Sequence, residues 1–188
     1  MSNGYCIVIN EDELRRRTRA VQNLLRTLAR NAVPCQFARG LYNGGKVIAA
    51  HDGNNLQEHY RAWKFRTINP KVWCSYHELW KPISGKQDWF LYQSYLSLFM
   101  HAEDFHLKEI ICLHCDPQEE QNRFKKGPHL HIVAAEHPIS RSHFPLNYSH
   151  LDEILSDCHS LMDAIGNGVQ ILRNEVVEKY PNNPGLRP

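Results

Sequence analysis

A chain of 188 residues, 42% hydrophobic and 22% charged, can bury well over half of its unfolded surface, which excludes disorder and any need for a metal or disulfide merely to fold. Its formal net charge of +2 and sequence pI of about 8.2 neither demand nor exclude a nucleic-acid partner. Six cysteines without framework spacing, no signal-peptide pattern and no bilayer-length apolar run together predict a cytoplasmic protein with free thiols and no membrane partner.

In chain order, Tyr5 to Ile9 reads as a short buried strand. Asn10 with Glu13 three residues on predicts a capping box, opening a helix that runs to about Ala32. Leu14, Thr18, Val21, Leu25, Leu28 and Ala32 recur at steps of three and four and form its inner face. Arg15, Arg16, Arg17, Arg19, Arg26 and Arg30 fall on the other face, where they could contact phosphates. Asn43-Gly44-Gly45 is a hairpin turn between two apolar runs. Val72 to Tyr76 reads as a strand that leads into His77-Glu78.

Asp88 is expected to cap a second helix, with Leu91, Tyr95, Leu98 and Ala102 as its buried stripe. Glu109 to Cys115 and His129 to Ala135 are predicted strands joined by a polar loop. A third helix starts near Ser149, with Leu151, Leu155, Cys158, Met162 and Ile165 inside and Gly166 and Gly168 as points where it breaks or bends. The fold class is α+β: a single, largely antiparallel sheet with helices packed on it. One domain is expected over residues 1–180, followed by a flexible tail at 181–188.

The chemistry concentrates among the 12 histidines. Residues two apart on a strand share a face, so Cys112 and His114 lie on one side of the first strand, and His129 and His131 on one side of the second. Pairing Ile111 and Leu113 with Leu130 and Ile132 buries apolar surface, and it gathers Cys112, His114, His129 and His131 on the opposite face. Cross-strand neighbours stand about 5 Å apart at Cβ, close enough for their imidazoles to reach one ion. Candidate metal ligands are His114, His129, His131 and Glu136, with Asp116, His77 and Glu78 as further ligands or supporting partners. The cofactor is then a divalent metal: Mn, Mg or Zn. Cys112 and Cys115 form a Cys-X-X-Cys, but on a strand they point to opposite faces, which argues against a shared zinc.

His129-Leu130-His131, on a strand after Gly127-Pro128, resembles the His-hydrophobic-His signature of the HUH endonucleases over about ten residues. The resemblance implies an antiparallel sheet with flanking helices, two histidines holding a divalent metal that polarises a scissile phosphate, and a helix-borne tyrosine nucleophile. Carried onto this chain it makes Tyr180 the nucleophile, with Tyr148 second, although Pro181 rather than a helical step to lysine follows Tyr180. His114 joins Tyr180 as a catalytic candidate, and single-stranded nucleic acid is the implied partner. A fainter likeness to cupins, through His143 and Asn147 after Glu136, fails on the short gap between the clusters. Trp63, Trp73, Trp80 and Trp89, with Lys64, Arg66 and Lys81 nearby, could form a stacking platform for bases, although core packing accounts for at least two of them. The residues therefore support a metal-dependent nuclease, a metal-dependent hydrolase of another substrate, or a non-catalytic interaction or nucleic-acid-binding module.

Overall fold

The computed structural model describes residues 5–31, 33–53, 59–101, 106–133 and 141–179. Glu136, Tyr180 and the tail lie outside the described residues. Among the described residues nine strands form one sheet, and every pairing is antiparallel.

β1 (Val8–Asn10) leads into α1 (Glu11–Arg26), and the capping box forms as its spacing predicts: the Glu13 amide donates to the Asn10 side chain, and Glu13 accepts from the Asn10 amide. The helix ends at Arg26, short of the expected Ala32. β2 (Cys35–Tyr42) and β3 (Gly45–Ala50) form the hairpin whose turn needs positive φ at Asn43 and Gly44, 44° and 74°. β4 (Phe65–Arg66), β5 (Val72–Pro82), β6 (Asp88–His101), β7 (Leu107–Cys115), β8 (His129–Val133) and β9 (Arg141–Pro145) follow. The main path of the sheet is β2-β3-β5-β6-β7-β8-β9.

α2 (Leu151–Ile154) is one short turn. α3 (Cys158–Leu172), capped by Asp157, runs unbroken through Gly166 and Gly168. Gly168 does not bend the helix; a Cβ there would stand 2.8 Å from the Leu113 side chain, so the glycine lets α3 lie close against β7.

The expected second helix is a strand. Asp88–His101 is β6, in the interior of the sheet between β5 and β7. Its buried side chains lie on both faces of the sheet, so polar Gln93, Ser94 and Ser97 are buried along with Leu91, Leu96 and Leu98.

The two faces of the sheet differ. On one, Leu14, Val21 and Leu25 of α1 and Leu161, Ile165 and Val169 of α3 pack against Ile48, Tyr76, Trp80, Leu96, Leu98 and Leu113 as one apolar core. Arg17, expected on the outer face of α1, points into this core instead. Its guanidinium donates to both carboxylate oxygens of Glu78, with Nη2 at 2.6 Å, and Tyr76 and Trp80 donate to the same carboxylate. Glu78 therefore holds α1 onto the centre of the sheet and cannot support a site on the other side. Helix α1 keeps Arg15, Arg16, Arg19 and Arg26 exposed on the outside of the helical layer. Among the described residues, the other face carries a small buried apolar cluster at one end (Val47, Ala49, Tyr60, Trp63 and Leu79) and the histidines with several buried polar groups. Among the described residues, no helix is long and apolar enough to cross a membrane.

Candidate metal centre

Strand register builds the site. β7 and β8 pair as Ile111–Ile132, Cys112–His131, Leu113–Leu130 and His114–His129, the register that the apolar pattern predicts. Period-two alternation then sends Leu113 to the helical core and Cys112, His114, His129 and His131 to the polar face. Neighbouring strands extend the pattern into two adjacent rows. One runs His77, Tyr95, His114, His129; the other runs Ser75, Ser97, Cys112, His131, His143.

The rings of these rows touch in sequence. His77 meets Tyr95 at 5.4 Å between centroids, and Tyr95 stacks on His114 at 4.0 Å and 18°. His114 lies 5.7 Å from His129 and 5.3 Å from His131, and His131 stacks on His143 at 4.7 Å. Together His114, His129, His131, His143, Tyr95 and Asp116 help to line a cavity of about 640 Å³.

His129 shows most clearly how these residues could hold a cation. It is 0% exposed, and its Nδ1 lies 3.1 Å from the Gly127 carbonyl oxygen. A carbonyl only accepts, so the hydrogen sits on Nδ1, which leaves the lone pair on Nε2. Among the described residues, that buried Nε2 has no hydrogen-bond partner. A hydrogen bond that fixes the tautomer while the other nitrogen is held ready is the usual support of a metal-ligating histidine. Burial, chiefly, holds the His129 imidazole down to about 4, against a smaller opposing effect of the Gly127 bond. Burial, reinforced by the surrounding imidazoles, holds His114 down to about 3. Both are neutral at physiological pH and can donate to a cation.

Two overlapping donor sets result: His114, Asp116 and His129, and Cys112, His114 and His131. Within each set the ligand atoms lie within 4.8 Å of one another, so small side-chain movements could gather them around one zinc at about 2.0–2.1 Å from each. Asp116 is held in place by the Tyr95 hydroxyl, which donates to Oδ1 at 2.6 Å. Burial raises the Asp116 carboxyl, with the Tyr95 bond opposing it, and burial next to Asp116 raises the Tyr95 phenol. Cys112 is the less ready ligand. Its Sγ lies 2.9 Å from Ser97 Oγ, and burial pushes its thiol well up, so the thiolate is disfavoured.

Of the sequence-derived candidates, the fold brings together His114, His129, His131 and Asp116, and places His77 one ring away beyond Tyr95. His77 accepts from the Gln93 amide at 3.1 Å and is held down to about 3 by burial, then by the cationic Arg61 and by His59. The histidines are not exposed as a solvated strand edge would be; His131 is 7% exposed. Glu78 points into the opposite face, and Tyr148 lies in a turn outside the cavity. The sequence pattern missed Tyr95, which its spacing assigns to a helix, and it did not connect His143 to the cluster, since no strand is predicted around it. Comparison with family models, curated proteins and solved structures finds no match for this chain.

Proposed function

We propose that this chain is a divalent-metal-dependent enzyme that cleaves phosphodiester bonds of nucleic acid, with the metal held by His114, His129 and His131 and supported by Asp116. The observation that carries the reading is His129, buried, fixed in one tautomer by Gly127, with an Nε2 that has no hydrogen-bond partner among the described residues, in a donor set with His114 and Asp116. Imidazoles with one carboxylate suit zinc or manganese better than magnesium, which prefers oxygen donors. An ion bound there would polarise a phosphate oxygen and acidify a bound water. The chain contributes the rest: Asp116, positioned by Tyr95, can take a proton from the attacking group, and Lys125 at the cavity wall offsets phosphate charge. The His129-Leu130-His131 strand and the antiparallel sheet agree with the HUH resemblance. That resemblance would assign the attack to Tyr180.

A metal-dependent hydrolase of another substrate is the second reading. It is favoured by Glu119 and Glu120, which also line the cavity and repel a polyanion.

The test is metal content and cleavage by protein purified without a histidine tag. The expected result is stoichiometric zinc or manganese, metal-dependent cutting of a labelled single strand, and a loss of about 100-fold or more in His131→Ala and His129→Ala. Tyr180→Phe should abolish a covalent protein–DNA adduct if tyrosine attacks, and should matter little if water does. A protein that binds no metal and cuts nothing with any divalent ion overturns the enzymatic reading. Bound metal without cleavage favours the second substrate class.

A further inference from the structure

The open face of the sheet extends beyond the histidine rows. On β5, Trp73 follows Ser75 and His77 at period two, and on β6, Phe99 follows Ser97 and Tyr95. Trp73 and Phe99 are directly paired across the two strands, and Arg66 on β4 is paired with Trp73 on its other side. These residues thus form the next row of the same face. At about 3.3 Å per residue, Phe99 stands roughly 13 Å along β6 from Tyr95.

Each ring carries a cation. The Arg66 guanidinium lies 4.9 Å from the Trp73 ring centroid, and Lys64 Nζ lies 4.8 Å from that of Phe99. Both aromatic residues are half-buried. Trp73 and Arg66 help to line a recess of about 560 Å³ together with Arg30 and Asn31. The nearby acids are Asp52, in the recess, and Glu109, which pairs with Phe99 from β7. The other tryptophans do not serve: Trp63 and Trp80 are buried in the two apolar clusters, and Trp89 donates to Glu11 and lies under Lys46.

We propose that Trp73 and Phe99, with Arg66 and Lys64, form a subsite that stacks the unpaired bases of a single-stranded nucleic acid whose phosphodiester lies at the histidine cluster. Paired aromatics interleaved with cations on flexible stems are the chemistry of single-strand recognition: the rings take bases of any sequence, and the cations move to the adjacent phosphates. A duplex keeps its bases stacked inside and cannot use the rings. The sharing of one face gives the subsite its purpose, because a strand anchored on the aromatic row runs along β6 toward the metal site. The α1 arginines lie behind the sheet and cannot guide the same strand.

The inference rests on nucleic acid being the substrate, so it is tested by binding without metal, where a failure of catalysis has no bearing. Fluorescence anisotropy is followed for labelled dT12 and rU12, and for a duplex of equal length, at low salt in EDTA. Wild type should bind both single strands more tightly than the duplex. Trp73→Leu should weaken single-strand binding by about tenfold to a hundredfold. Arg66→Gln should weaken it less and lower the salt slope by about one. Arg66→Gln and Lys64→Gln are exposed or half-buried changes that spare the core, and they decide the matter if Trp73→Leu does not fold by circular dichroism. Tighter binding of duplex, no binding of either single strand, or variants that bind like wild type each overturn the subsite. Cleavage that fails while the binding pattern holds overturns only the enzymatic reading.

Discussion

At the scale of single residues, parity decided what could be read. His114, His129 and His131 were placed on one face by the strand period of two and the one register that pairs Leu113 with Leu130, and the fold keeps that register. The same parity separates the adjacent His77 and Glu78: His77 faces Tyr95 and the histidine rows, whereas Glu78 goes to Arg17. Burial was not legible, because it depends on neighbours from β6 and β9 that are distant in sequence. It has a consequence at His77, whose imidazole is held near 3 against an ordinary value of 6.5. The unfolded chain then takes up this proton more readily than the folded one. Its contribution to pH dependence is nil above about pH 6.5, and stability is lost progressively as pH falls from there toward 3, by an amount on the order of a few kcal/mol. His77→Gln, which cannot titrate, should show a smaller drop in melting temperature between about pH 7.5 and pH 5 than wild type. Equal drops would show that His77 is not the group responsible.

At the scale of elements, β6 is the instructive failure. Leu91, Tyr95 and Leu98 recur at helical spacing, and Gln93, Ser94 and Ser97 look like the wet side of a helix. The strand lies inside the sheet with residues of both parities buried, polar ones included, so the period-two signal disappears. Composition held the better clue: Trp89, Phe90, Tyr92, Tyr95 and Phe99 are strand formers. Misassigning β6 hid Tyr95, Gln93 and Phe99, which all lie on the open face. By contrast α1 was legible from its capping box and apolar stripe, apart from Arg17. That residue is 5% exposed, and its partner Glu78 is 0% exposed. Glu78→Gln should leave a buried guanidinium without its counter-charge and lower the unfolding free energy by about 3–5 kcal/mol in urea denaturation. A loss below about 1 kcal/mol would mean that Tyr76 and Trp80, which also donate to Glu78, cannot be holding a charged network together.

At the scale of the whole molecule, the sheet divides stability from chemistry. The continuous apolar core lies on the helical side, where α1 and α3 cover Leu96, Leu98 and Leu113, whereas the histidines lie on the other side, whose buried apolar cluster is small and sits at one end. Because each strand contributes to both faces, Leu113 anchors in the core while its neighbours Cys112 and His114 are held rigid opposite. A centre built this way is organised by a fold that does not depend on the ion, unlike a zinc finger, whose folding energy is its metal. Chelation should therefore leave the far-ultraviolet circular dichroism unchanged. Adding back zinc or manganese at about 100 times its dissociation constant should stabilise the native state by about 2.7 kcal/mol, since the ion binds only the assembled donors. For a chain of this length that corresponds to a rise of roughly 5–10 °C in melting temperature. The shift should vanish in His129→Ala and His114→Ala. The apo form of His129→Ala should melt no lower than other large-to-small buried changes predict, since the substitution also removes a buried nitrogen that has no hydrogen-bond partner among the described residues. Unfolding on chelation would make the metal structural and place its energy in the core. A melting temperature indifferent to every divalent ion would remove the metal from the site.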